Sequence, residues 1–385
     1  MTRPRTNLVL RILVTMFTGE ALALYLVKWF FGSGPSFIQI FNIGHDYTDF
    51  YEAAGLWFRG RSPYGASGFV GPAPELLAGA IFHWLPAGKA LTAFSVLTAG
   101  LVLAAMALFC RKIGLTWQST LAMLLVTMSF GPFFCLLAGG NTDGLMVALL
   151  LFAYCAKGRL MRAVLVAASV VTKLYTGLVI VVLVRRRRYS AAAIIAAAGV
   201  LLLLPFWRYW PEMAGRLFGR TDVLRLDANI SPAGLFLVVL GGAGRVAGQA
   251  AYWCFWLGTL GYALVKDRSQ DEREALLRYI PWMITTPLLV YWYGGVMCLP
   301  VMAWLARRNQ ERPLRRGEWT MVAGTVLIGL YPSVFASLLP LSPEAYQGFR
   351  TGVVWLGALG GTLLLAGAAV SAGREDTTRS TDGVG

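Results

Sequence analysis

Apolar runs alternate with short polar or basic segments from one end of the chain to the other. The runs measure about 15 to 22 residues, and about 20 residues of α-helix cross a bilayer. The pattern predicts a first span over Ile12–Phe31, a long polar loop over 32–74, and a short apolar segment, Pro74–Pro86, read as a partial or re-entrant helix. Spans follow at Lys89–Cys110, Trp117–Leu137 and Asp143–Ala156. Met161–Val184 has the length of one span but basic residues at both ends. Two half-helices turning near Thr172–Tyr175 keep both basic clusters on one side and satisfy the charge rule; a single crossing satisfies only the length rule. Ala191–Pro205 leads to a second amphiphilic loop over 206–231. Further spans are predicted at Val246–Val265, Trp319–Leu339 and Gly352–Val370, and two short runs, Ile280–Val290 and Val296–Leu305, flank Tyr291-Trp292-Tyr293. The expected fold class is all-α, a polytopic transmembrane bundle of about ten to twelve spans counting short or broken helices. It forms one domain over 1–373, followed by a polar tail over 374–385 expected to be disordered.

Composition agrees with a bilayer environment. The 385 residues are 57% hydrophobic and 14% charged, with a mean hydropathy of +0.61; soluble domains carry about 25% charged residues. The net charge of +15 sits in short clusters between apolar runs, such as Arg111-Lys112 and Arg185–Arg188. That is how a membrane protein marks its cytoplasmic side, and it argues against a nucleic-acid partner. Both termini are then cytoplasmic and the loops 32–74 and 206–231 lie outside. The five cysteines lie in or beside apolar runs without metal-ligand spacing, and with only two histidines no metal site is expected.

Chemistry is concentrated in the outer loops. His45-Asp46-Tyr47-Thr48-Asp49-Phe50-Tyr51-Glu52 places acids and aromatic rings just beyond the first run. If helical, Asp46 and Asp49 share a face. The segment Asp49–Phe58 reads as an interfacial helix with its aromatics in the bilayer surface; helix capping by Asp49 explains part of the same pattern. Arg59 and Arg61 beside Ser62-Pro63-Tyr64 suit a phosphate or lipid headgroups. Asn141-Thr142-Asp143 opens a helix after two glycines, where its amides suit an anion and a plain N-cap suits equally. Lys173 is the sole charge of its apolar stretch, a placement that marks function or a structural ion pair. Arg208, Arg216, Arg220 and Arg225 lie outside against the charge rule, which favours phosphate or glycan binding over an interfacial amphipathic helix. From the residues alone, a carrier of a lipid-linked or polar solute is the alternative to an enzyme, because an internal lysine and broken helices suit both.

Several motifs together resemble glycosyltransferase family 87, of the GT-C class of bacterial membrane glycosyltransferases. They are Asp49-Phe50 with Tyr51–Ala54, Gly60-Arg61-Ser62-Pro63-Tyr64, Gly139-Gly140-Asn141, Lys173-Leu174-Tyr175, Asn229-Ile230-Ser231 and the aromatic turn Tyr291-Trp292-Tyr293. Gly140 replaces the family's usual glutamine, and Tyr293 stands near an expected histidine. The resemblance implies a bacterial inner-membrane hexosyltransferase with its active site facing the extracytoplasmic side. It implies a polyprenyl-phosphate-linked donor sugar, mannose by the family's association, a glycolipid or glycan acceptor, and inversion at the anomeric carbon, without a cofactor. Asp49 is then the expected base, with Asp46 as second choice or orienting partner. Lys173, Arg208, Arg220, Arg225 and Arg61 are expected at the donor phosphate. Tyr51, Tyr64, Asn141, Tyr175, Asn229, Trp292 and Tyr293 are expected to line the substrate site.

Overall fold

The computed structural model describes residues 7–31, 45–66, 68–69, 71–218, 245–267, 277–286, 292–330 and 343–373. Among the described residues the regular secondary structure is helical. After α1 (Leu8–Phe31) come α2 (His45–Phe58), the short α3 (Leu76–Ala80) and α4 (Ala87–Lys112). The central part holds α5 (Trp117–Ser129), α6 (Gly131–Gly139), α7 (Asp143–Cys155), α8 (Arg159–Thr172), α9 (Leu178–Arg185) and α10 (Tyr189–Leu203). The remainder holds α11 (Trp210–Phe218), α12 (Arg245–Lys266), α13 (Ile280–Ile284), α14 (Cys298–Glu311), α15 (Arg316–Gly329) and α16 (Pro343–Gly373).

Among the described residues two helical stretches, Ala87–Lys112 and Tyr189–Arg216, are long and apolar enough to cross a membrane, and a bent pair makes a third. This is fewer than the expected ten to twelve. Several helices stop short of the roughly 20 residues a bilayer needs: α7 has 13 residues and α8 has 14. Trp117–Leu137, expected as one span, bends by 54° between α5 and α6. Phe130 is extended there, and Pro132 in the first turn of α6 has no N–H to continue the ladder. The packing of α15 on α16 is of the kind bilayers favour. A Cβ on Gly324 would lie 2.6 Å from the Gly360 carbonyl oxygen, so only small residues allow this backbone approach.

The direction of the central helices decides where the chemistry gathers. α4 and α7 run parallel: Leu91 meets Gly140 near their starts, and Phe109 stacks edge-on against Tyr154, 4.9 Å between centroids, near their ends. α8 returns antiparallel, with Ser169 Oγ donating to the Met146 carbonyl at 3.4 Å. It stops at Lys173, whose backbone is extended (φ −143°, ψ 107°), and a 3-10 turn, Leu174–Gly177, leads into α9. Arg159 and Val166 of α8 line the same cavity as Val179 of α9 and Arg188 beyond it. The segment is therefore a hairpin of two half-helices, with both basic clusters at one end and Lys173 at the other.

A second, smaller core joins the polar segments 45–80 and 206–213. Tyr47, Phe50 and Ala53 of α2 pack with Tyr64, Phe69, Leu76, Phe94 and Phe206. This corrects the reading of α2 as an interfacial helix with its aromatics in the bilayer: Tyr47 is 1% and Phe50 6% exposed, whereas Phe58 is 58% exposed. Close contact with α3 is the cause, since a Cβ on Gly79 would overlap the Phe50 carbonyl. The two segments also meet directly. Arg216 Nη2 donates to the Tyr64 carbonyl at 2.9 Å, and the Ser62 hydroxyl bonds the Glu212 carboxylate.

Candidate active site

Three acids and one lysine, Asp46, Glu75, Asp143 and Lys173, come together where the start of α2, the turn before α3, the start of α7 and the end of α8 meet. The α2 helix places Asp46 and Asp49 three residues apart on one face. α6 ends on Gly140 in the left-handed conformation, φ +68°. A side chain there would be strained and would sit 2.6 Å from Tyr47 Cβ, so glycine satisfies two demands at once. The turn presents Asn141, whose amide Nδ2 donates to Asp46 Oδ2 at 2.8 Å while its Oδ1 accepts from the Asp143 backbone N–H at 2.9 Å. One asparagine thus braces the turn that leads into α7 and holds the first acid.

Lys173 closes the cluster. Its Nζ lies 2.9 Å from Glu75 Oε1 and 3.8 Å from Asp143 Oδ1. The Thr142 hydroxyl donates to Glu75 Oε1 at 2.8 Å, and the Tyr175 hydroxyl donates to Asp143 Oδ1 at 3.0 Å. Glu75, Asn141, Thr142 and Asp143 are each at most 3% exposed, whereas the Lys173 side chain keeps 21% of its surface exposed. Asp46 lies within the same field. One ammonium facing several carboxylates gives a cluster that is net acidic when ionised.

Glu75 escaped the sequence reading. It lies at the end of the 3-10 turn Ala73–Glu75, at the start of the short apolar segment Pro74–Pro86 read as a partial or re-entrant helix. The signal was present: Glu75 is the sole Asp, Glu, Lys or Arg between Arg61 and Lys89, and an isolated charge in apolar sequence marks function or pairing. Two glycines fit the acids closely. A Cβ on Gly68 would overlap the Asp49 carboxylate, and one on Gly71 would overlap the Glu75 carboxylate.

The other expected residues divide. Asn141 and Tyr175 join the cluster, as above. Tyr51 turns away: its hydroxyl donates to the Leu85 carbonyl at 2.8 Å and its ring stacks on His83. Tyr64 is 3% exposed and donates to the Gly71 carbonyl at 3.1 Å, so it shapes the loop carrying the two glycines. Burial, then the nearby Glu75 and Glu212, raise its phenol well above the usual value, keeping it a neutral donor. Arg61 and Arg208 are exposed. Trp292 opens a 3-10 turn, Trp292–Met297; the side chains of Trp292 and Tyr293, and all of Arg220, Arg225 and Asn229, lie outside the described residues. Among the described residues no group of three His, Cys, Asp or Glu side chains has the geometry to hold a metal ion.

The fold and site define an all-α, membrane-associated protein with a largely buried acid–lysine cluster at one end of its central helices. The model of glycosyltransferase family 87 matches residues 69–337, well over half of the chain, and the protein belongs to that family. The match takes in Glu75, Asn141, Asp143 and Lys173 and begins beyond Asp46 and Asp49. No curated protein matches the chain.

Proposed function

We propose that the protein is a polytopic GT-C-type membrane glycosyltransferase that moves a hexose, mannose in the first instance, from a polyprenyl-phosphate donor to a glycolipid or glycan acceptor, with inversion. The observation that carries this reading is the convergence of Asp46, through Asn141, with the Glu75–Lys173–Asp143 cluster in a chain of family 87, with Asp49 one turn further along the same face of α2. By the charge rule the cluster faces the extracytoplasmic side of a bacterial inner membrane, because the basic turns lie at the opposite end of α8 and α9.

A phosphate leaving group departs without protonation, so one general base acting on the acceptor hydroxyl suffices. That base must be within reach of substrate. Glu75 and Asp143 are buried and tied to Lys173, whereas Asp46 and Asp49 are only partly buried. Asp49 is the base, and Asp46, held by Asn141, orients the acceptor or stands as second choice. A phosphate would be repelled by the acidic cluster, so its charge falls to Arg61 and Arg208 with Arg220 and Arg225. Lys173 contributes its charge from behind the acids.

Purified protein in lipid, given radiolabelled polyprenyl-phosphate mannose and a panel of glycolipid acceptors, is expected to transfer label to at least one acceptor. Loss of donor binding together with absence of transfer would defeat the reading. Gly68→Ala is a finer test. The added methyl displaces the Asp49 carboxylate, and misplacing a catalytic group by about 1 Å costs about 10²-fold in rate. Turnover should fall to that extent with thermal unfolding close to wild type; unchanged turnover would show that Asp49 is not held by this contact.

A further inference from the structure

A second site lies at the opposite end of the α8–α9 hairpin from Lys173. Between α8, α9 and α10 is a cavity of about 220 Å³, far more than the roughly 15 Å³ one water needs. Its lining is two-sided. Arg159, Arg162 and Arg188 bring three guanidinium groups to it, while Val166, Val179 and Ile195 provide an apolar wall. Arg162 is oriented by donating Nη2 to the Ala156 carbonyl at 3.4 Å. Along α8, Arg159 is about 20 Å from the Lys173 end by helical rise, so this is not an extension of the acid cluster.

The lining selects the class of ligand. A small free anion has no use for the valine and isoleucine wall, and a purely apolar molecule has no use for three guanidiniums. An amphiphile with an anionic head and an acyl tail satisfies both. The neighbouring surface supplies such molecules. The stretch Tyr189–Arg216, which begins with α10, is only 17% buried over its most apolar window, and Val200 and Leu201 are 53% and 66% exposed, so this flank meets acyl chains in a bilayer. We propose that an anionic phospholipid of the leaflet at the basic end, the cytoplasmic one by the charge rule, occupies this cavity with its phosphate on Arg159, Arg162 and Arg188. The lipid ties the ends of the two half-helices whose turn carries Lys173. The inference stands independently of the transferase reading.

The test measures retained lipid. Protein reconstituted in phosphatidylcholine nanodiscs doped with phosphatidylglycerol is re-extracted in mild detergent, and bound lipid is quantified by mass spectrometry. Wild type should retain phosphatidylglycerol over phosphatidylcholine by at least about tenfold. The triple variant Arg159→Gln/Arg162→Gln/Arg188→Gln should weaken retention by about a hundredfold, since each basic residue near a membrane surface contributes about tenfold or somewhat less. Ala191→Phe, which fills the cavity and leaves the arginines, should also abolish retention, and it decides the matter if the triple variant does not fold. Equal retention of the two lipids, unchanged retention in Ala191→Phe, or displacement by soluble glycerol phosphate would each overturn the proposal, the last by showing a site for a bare anion.

Discussion

Lys173→Met should destabilise the protein by about 3–5 kcal/mol, the cost of leaving a buried carboxylate without its counter-ion. Lys173 Nζ is 2.9 Å from Glu75 Oε1, and the Glu75 side chain is only 2% exposed. Methionine keeps the length and packing of lysine while removing the charge, so the loss reports the pairing. Glu75→Gln should cost less, because Lys173 retains Asp143 at 3.8 Å and glutamine can still accept from Thr142, which donates to Oε1. The double variant Glu75→Gln/Lys173→Met should recover part of the loss, with a coupling of about 1–3 kcal/mol. Thermal unfolding in detergent, run as a full double-mutant cycle, checks all three. Lys173→Met unfolding at the wild-type temperature, or simple additivity, would show that the contact has no energetic consequence.

Asp49→Asn should lower turnover by about 10²–10⁴-fold, the range that general base catalysis contributes. Asparagine preserves shape and the fit against Gly68, so folding and donor KM should stay close to wild type while kcat falls. Asp46→Asn should behave differently. Asp46 Oδ2 accepts from the Asn141 amide, which also secures the start of α7 through its Oδ1. That variant should lose stability as well as rate, as a positioning residue would. Steady-state kinetics on both variants beside their unfolding temperatures separates the roles. Full turnover in Asp49→Asn with an inactive but stable Asp46→Asn would transfer the base assignment to Asp46.

The site was legible in its local parts. Asp46 and Asp49 share a face because α2 is a helix, as their spacing allowed; Thr142 rather than Asn141 is the N-cap of α7, and Asn141 accepts from the Asp143 N–H one residue ahead of it. Lys173 stood out as a lone charge in an apolar stretch, and the ion pair considered for it is present. Its partner was not legible. Glu75 is 98 residues earlier, and no local pattern couples a 3-10 turn at one place to a helix end at another. The same holds for Tyr51 and Tyr64, which look like substrate contacts in sequence and take backbone carbonyls as partners in the structure.

Apolar periodicity and the placement of basic clusters act through the solvent surrounding each short segment. From them alone follow the helices near Lys89–Cys110, Asp143–Ala156 and Val246–Val265; for Met161–Val184 the charge rule favours two half-helices and the length rule one crossing, and the packing of α8 beside α9 decides for the half-helices. The bend at Phe130, the burial of Tyr47 and Phe50, the clasp of Glu212 and Arg216 on the Ser62–Tyr64 segment, and the seating of Glu75 against Lys173 depend on distant chain packing together. The bilayer acts on every residue according to its own polarity, so its effect is written locally. Ion pairs and close backbone approaches form only when separate segments arrive at the same place, and their energy depends on that arrival.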